Sequence, residues 1–332
     1  MVHLRIVAPE NLTKATLEVV ERSAAVVNIV VLRGAGRRPE GDVLLCDVAR
    51  EEASVVIEDL RELGLPRTGS IAVETVETYV SDEADQAVEA GKGLPSDAVV
   101  WEEVEERTAE SATLSFTFLA FMVIAALLAA VGIYLDSAVL IVGAMVVGPE
   151  FGPIAGFCVA IIQPPRTLAL RSFVALAVGF PVAVMAVFWA SLIFKSTGVT
   201  PDTFSEADHE LGTIIATPDF FAAFVAFLAG IAGMLSLTTA KSGALIGVLI
   251  SVTTIPAASN IGVSAAYADW PSFRGSATQL GVNLLAIVVA GTLTLAIQRA
   301  VYNHRRERHH REEVSAGEAE ELAAGAAQSP PS

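Results

Sequence analysis

The 332-residue chain is 53% hydrophobic and 17% charged, with a mean hydropathy of +0.57 and a formal net charge of −16. A soluble globular chain carries about a quarter charged residues, so the composition excludes an ordinary water-soluble domain, and the acidity excludes nucleic acid as a partner. Only four of the 21 basic residues are lysine, a balance that suits a surface kept soluble in high salt.

Charge is dense before Glu110, sparse from Ser111 to Gln298 and dense again after Arg299. That pattern reads as water, then lipid, then water. The opening Met1-Val2-His3-Leu4-Arg5 lacks the basic start and apolar run of a cleavable signal peptide. The first apolar run, after Ser111, is therefore expected to direct insertion. Cys46 falls in a predicted strand and Cys158 in a predicted membrane helix. Their spacing suits neither a metal site nor a disulfide, and both read as buried small hydrophobes.

In chain order, Leu4–Val7 reads as a short strand. Asn11–Ser23 reads as a helix with Leu12, Ala15 and Val19 on one face. Val26–Leu32 is a β-branched strand, Gly34–Asp42 a turn region and Val43–Val48 a strand. Arg50–Leu63 is a helix with Ala53, Val56, Ile57 and Leu60 as its buried stripe, stopped by Gly64 and Pro66. Ser70–Val76 is a last strand. The order βαββαβ predicts an α+β, ferredoxin-like domain over residues 1–80, similar to regulatory ligand-binding domains of the ACT type. Arg33-Gly34-Ala35-Gly36-Arg37-Arg38 reads either as an anion site built on free amides or as a solvated hairpin loop. Residues 81–110, rich in acids such as Glu102, Glu103, Glu105 and Glu106, read as an acidic linker with a short helix leading into the membrane.

Crossing a bilayer takes about 20 apolar residues. The continuous apolar runs predict six transmembrane helices between residues 111 and 298, at 113–134, 137–162, 168–194, 218–239, 243–267 and 277–298. Backbone groups in lipid must bond internally, which favours helices. Arg166, Arg171, Lys241 and Arg299 mark one side as cytoplasmic; Asp136, Asp202, Glu206, Asp208, Asp219 and Asp269 mark the other. Both termini are then expected in the cytoplasm, with the chain in the cell membrane and lipid as its first partner. Tyr134, Trp189, Tyr267 and Trp270 fall near outer helix ends, as in an aromatic belt. In the 299–332 tail, His304, His309 and His310 sit among arginines and read as part of a basic anchor rather than a metal site; after Glu312 disorder is expected.

Two stretches resemble each other. Asp136-Ser137-Ala138-Val139-Leu140-Ile141 precedes Pro153, and Lys241-Ser242-Gly243-Ala244-Leu245-Ile246 precedes Pro256. Each opens the second helix of a three-helix group, which predicts an inverted repeat of the kind common in secondary transporters. The second helix is interrupted by Gly148, Pro149, Gly152, Pro153 and Gly156. The fifth carries Ser251, Thr253, Thr254, Pro256, Ser259 and Asn260. Proline removes an amide donor and frees a carbonyl four residues back, so freed carbonyls, half-helix ends and hydroxyls together suit a cation or polar solute. The same residues also suit close packing, as in the Gly152/Gly156 pair. Glu150 stands alone in mid-membrane, where a carboxylate needs a proton, a cation partner or a wet cavity. Asn283 can reach the same place from the sixth helix.

Gly143-Ala144-Met145-Val146-Val147-Gly148-Pro149-Glu150-Phe151-Gly152-Pro153-Ile154-Ala155-Gly156, with Ile250-Ser251-Val252-Thr253-Thr254-Ile255-Pro256, resembles a prokaryotic membrane-protein family, domain of unknown function 389. The resemblance covers about residues 111 to 298. It departs from the family pattern at Glu150, where an apolar residue is usual. The resemblance implies no reaction. The residues favour a transporter or channel-like protein for a small solute or ion, with a soluble domain that regulates or assembles it. The alternative is a membrane-anchored metabolite sensor or scaffold. No H-E-x-x-H, G-x-S-x-G or paired-aspartate motif lies in the membrane segments, so neither an enzyme nor a cofactor is expected. Ferredoxin-like domains often pair through their sheets, so a homo-oligomer is expected.

Overall fold

The computed structural model describes residues 1–76, 78–90, 99–163, 166–201, 210–239 and 253–327. Ser251, Lys241, Asp202, Glu206, Asp208 and the second arm of the sequence repeat lie outside the described residues, as do the side chains of His309 and His310.

The N-terminal region runs β1 (Val2–Ala8), α1 (Glu10–Arg22), β2 (Val26–Arg37), β3 (Glu40–Val48), α2 (Arg50–Glu62), a short α3 (Leu65–Thr68) and β4 (Ser70–Thr75). The four strands form one antiparallel sheet in the order β2-β3-β1-β4. Alternation along a strand puts every second side chain on one face, and Val2, Leu4, Ile6 and Ala8 of the inner strand β1 are fully buried. Against them α2 packs Ala53, Val56, Ile57 and Leu60, the residues its helical period picks out. Gly64, with φ +79°, ends that helix in the left-handed conformation glycine adopts at low cost. On α1 the buried residues are Thr16 and Val20, with Leu12 and Val19 only half-buried. The buried face is thus centred one residue beyond the predicted stripe. Helical side chains lean toward the helix N-terminus, so a spot is covered from about one position further along.

β2 is longer than predicted. It runs through Gly34–Arg37, pairs Gly36 with Gly41 and Arg37 with Glu40, and turns only at Arg38-Pro39. The Gly34 amide donates to Asp42 Oδ1 at 2.7 Å, and this bond holds the Asp42 carboxyl below its usual range, helped by Thr13. That amide is filled by the chain's own carboxylate, which favours the hairpin reading over the anion site.

The acidic stretch contains α4 (Asp82–Ala90) and α5 (Trp101–Ser111). α5 is docked, not merely a connector. Its Trp101 and Val104 are buried. Arg50 pairs with Glu103 at 2.8 Å, and Ser54 donates to Glu102 at 2.9 Å. Burial pushes the Glu102 carboxyl above its ordinary range, against the lowering effect of Ser54 and Arg61.

Beyond it come α6 (Phe116–Tyr134), α7 (Ala138–Val147), α8 (Phe151–Ile162), α9 (Arg166–Ser196), α10 (Glu210–Ala216), α11 (Phe220–Thr238), α12 (Thr254–Ala266) and α13 (Trp270–Ala327). Ser115 and Asp219 cap α6 and α11 by accepting from the amides of Phe118 and Ala222. Among the described residues four helices are long and apolar enough to cross a membrane, or five if the α7–α8 pair, bent by 50°, is one span. That is the build of an integral membrane protein. Residues such as Val139, Leu170 and Leu285 are exposed on its outside, where lipid would cover them. Within the bundle, backbones approach closely at small residues: a Cβ on Gly230 would lie 2.8 Å from the Ile287 carbonyl, and one on Gly262 2.8 Å from that of Val184.

Three features differ from the sequence reading. A short helix, α10, stands in the loop after α9, with its Leu211 amide bound by Asp136 at 3.0 Å. α13 starts at Trp270 rather than 277, because Asp269 accepts from the amide and hydroxyl of Ser272 and so starts the helix there. The α13 backbone also continues to Ala327, through the stretch expected to be disordered; its Ala and Glu content is strongly helix-forming.

The broken helix and its polar cluster

α7 stops at Val147 because Pro149 carries no amide for the carbonyl of Met145. Gly148 closes the last turn by donating to Ala144 O at 3.1 Å, then turns extended. α8 restarts at Phe151 with Glu150 at its N-cap. On the opposite element, α12 begins at Thr254 with Thr253 at its N-cap. Pro153 and Pro256 therefore occupy matching places, the third residue of each helix. There an amide has no intrahelical partner in any case, so these two prolines do not free a carbonyl as expected; they favour the helix starts. Pro149 is the proline that frees one.

The two helix starts meet. Thr254 Oγ1 donates to Glu150 Oε1 at 2.8 Å. Asn283 Nδ2, from α13, donates to Thr253 Oγ1 at 2.7 Å, and Gln279 Nε2 donates to Asn283 Oδ1 at 2.9 Å. Glu150 is 2% exposed, and Thr254, Asn283 and Gln279 are equally buried. Two oxygens in this cluster, Glu150 Oε2 and Gln279 Oε1, have no hydrogen-bond partner among the described residues. A Cβ on Gly148 would lie 2.3 Å from Glu150 Oε2 and 2.8 Å from Ile255 Cγ1, so any larger residue there must push the carboxylate oxygen from its place.

Of the residues singled out in the sequence, Gly148, Glu150, Thr253, Thr254 and Asn283 come together here. Pro149, Gly152, Pro153 and Pro256 shape the two helix starts, and Ser251 is outside the described residues. Ser259 and Asn260 do not join the cluster. Ser259 Oγ donates to the Ala126 carbonyl of α6 at 2.8 Å, and Asn260 Nδ2 donates to Ser276 Oγ at 2.9 Å. They lie more than a turn further along α12 and fasten it to its neighbours. Gln279 escaped the sequence reading, although its place four residues before Asn283 puts both on one helix face.

A cavity of 540 Å³ reaches this break from the α5 side. Gly148, Pro149, Phe151 and Gly152 line its inner end, and Arg107, Glu110 and Ser111 line it from α5. α5 lies so close to α8 that a Cβ on Gly152 would stand 2.5 Å from Ser111 Cβ. At the far end of α12, roughly 20 Å away at 1.5 Å per residue, Tyr134 packs edge-on against Tyr267 and Phe194, with ring centroids 6.4 and 6.2 Å apart. The Tyr267 hydroxyl lies 2.6 Å from Thr200 Oγ1. Cys158 is fully buried between α8 and α13, and Cys46 lies in the sheet core, its thiol pushed up to about 12 by burial.

Residues 145–289 match the family model described as Domain of unknown function (DUF389). The stretch takes in the break, the described part of the fifth predicted span and the polar face of α13. The uncharacterized protein MJ0678 of Methanocaldococcus jannaschii is 24% identical to this chain over 246 residues, 72% of each sequence. No solved structure matches the chain.

Proposed function

We propose that this protein is a transporter or channel-like membrane protein for a small solute or ion, with an N-terminal domain that regulates or assembles it. One observation carries the reading: two helix starts meet through Glu150 and Thr254 in a buried polar cluster, beside a cavity that ends at the same break. A scaffold needs neither a broken span nor buried polar groups, which are costly in lipid.

On this reading the bent α7–α8 pair is one span and α12 belongs to another, making six. Helices 1–3 and 4–6 form the inverted repeat, and the matching prolines at the starts of α8 and α12 support it. With Arg171 and Arg299 on the cytoplasmic side of the cell membrane, both termini are cytoplasmic. The cavity then opens inward, and the Tyr134–Tyr267–Phe194 cluster closes the outer side. The β2-β3-β1-β4 order supports a ferredoxin-like regulatory domain, which pairs between copies to form a homo-oligomer. That domain is held to the membrane helices at two places: α5, and Arg306 of α13, which pairs with Glu62 at 2.7 Å. This coupling is also what a membrane-anchored sensor would need, and it favours that reading as the second. No enzymatic step is assigned.

The reading is tested with purified full-length protein in liposomes, under imposed gradients of sodium, potassium, protons, chloride and small carboxylates. Flux above protein-free vesicles is expected for at least one gradient. Background flux for every gradient, from correctly folded protein, would favour the sensor or scaffold.

A further inference from the structure

We infer that the break between α7 and α8 binds a dehydrated monovalent cation, held by Glu150 Oε2 and the terminal carbonyls of α7; the inference rests on the transport reading and names its ion. The first observation is the bare oxygen. Glu150 is 2% exposed, its Oε1 is taken by Thr254, and its Oε2 has no partner among the described residues. A buried carboxylate oxygen without compensation is costly.

The second observation is where that oxygen points. It occupies the space a side chain on Gly148 would fill, directly at the end of α7. The third is what ends there. The last carbonyls of a helix lack intrahelical partners, Pro149 removes the amide that Met145 would have used, and the chain bends by 50° instead of continuing. A helix C-terminus also carries partial negative charge. The carboxylate oxygen and the C-terminal end of α7 therefore meet at Gly148, both of negative sign. Such hard oxygen donors are the ligands of alkali and alkaline-earth cations, and unwound backbone at a broken membrane helix is where transporters hold sodium.

Charge counting selects the monovalent ion. Among the described residues of the membrane helices, Glu150 is the one buried acid. One carboxylate with neutral carbonyls balances one positive charge, whereas a divalent ion usually gathers several carboxylates. Thr254 acts as a positioning residue: by donating to Oε1 it turns Oε2 toward α7.

The test is equilibrium binding of radioactive sodium, and of rubidium as a potassium stand-in, to the purified full-length protein in detergent at fixed pH. Saturable binding of one of them, displaced by the same unlabelled ion, is expected. Glu150→Gln should abolish it. Thr254→Val should weaken it by about 10- to 100-fold, the usual loss when a group orienting a metal ligand is removed, and Gly148→Ala should weaken it by pushing Oε2 aside. If Glu150→Gln fails to fold, the other two variants decide. No saturable binding to folded wild-type protein, or binding unchanged in these variants, overturns the inference and leaves the proton as the occupant of Glu150. Flux without cation binding would spare the transport reading; cation binding without flux would sink that reading and spare this site.

Discussion

Glu150→Gln is expected to reduce flux in liposomes to the level of protein-free vesicles while leaving the fold intact. The amide keeps the shape of the carboxylate and can still accept from Thr254, so the contact between the two helix starts survives. It removes the one buried charge among the described membrane residues. Without a bound cation the buried charge is uncompensated and destabilising, so in buffer free of alkali-metal ions the variant should unfold at the same temperature as the wild type or a higher one. Loss of flux without loss of stability separates a working carboxylate from a structural one. Unchanged flux and unchanged ion dependence would mean that Glu150 takes no part.

The second large effect is steric. Gly148→Val places a branched side chain where Glu150 Oε2 and Ile255 Cγ1 already stand, 2.3 and 2.8 Å from the first added carbon. Gly148 has ordinary φ, −62°, so the cost is one of space and not of backbone conformation. Overpacking of this kind costs about 1–3 kcal/mol. Displacing the carboxylate from Thr254 leaves buried polar groups unpaired, at about 1–3 kcal/mol more. The variant should show a clearly lowered unfolding temperature in detergent. Wild-type stability would mean that the break is loose enough to absorb the side chain.

Much of this arrangement can be read in the sequence because it is periodic or locally encoded. The α2 stripe of Ala53, Val56, Ile57 and Leu60 follows from spacing, and the glycine stop after α2 from residue type. The helix break follows from two prolines flanking Glu150 within an apolar run. Tertiary choices are less legible. The acids of 81–110 suggest solvent, yet α5 is docked because Arg50, Ser54 and Arg61 lie opposite them, and no local pattern reports a partner 41 to 53 residues away. Ser259 and Asn260 are small polar residues, like Thr253 and Thr254. Only the packing reveals that the first pair fastens α12 to α6 and α13 while the second faces the break. The role of the prolines shows the same limit. Composition places them inside a helix, whereas their position in the first turn of each restarted helix depends on where the chain bends.

The most direct measurement asks whether the meeting point of the two helix starts can be reached from water on both sides of the membrane. Cys46 and Cys158 are buried and can be replaced by alanine; Thr253→Cys on that background then places a single thiol at the break. A membrane-impermeant thiol reagent is expected to modify it from either face of sealed vesicles, with the balance between faces shifting with the ion supplied. A thiol that reacts from neither face, or from one face alone under every ion condition, would contradict the transport reading.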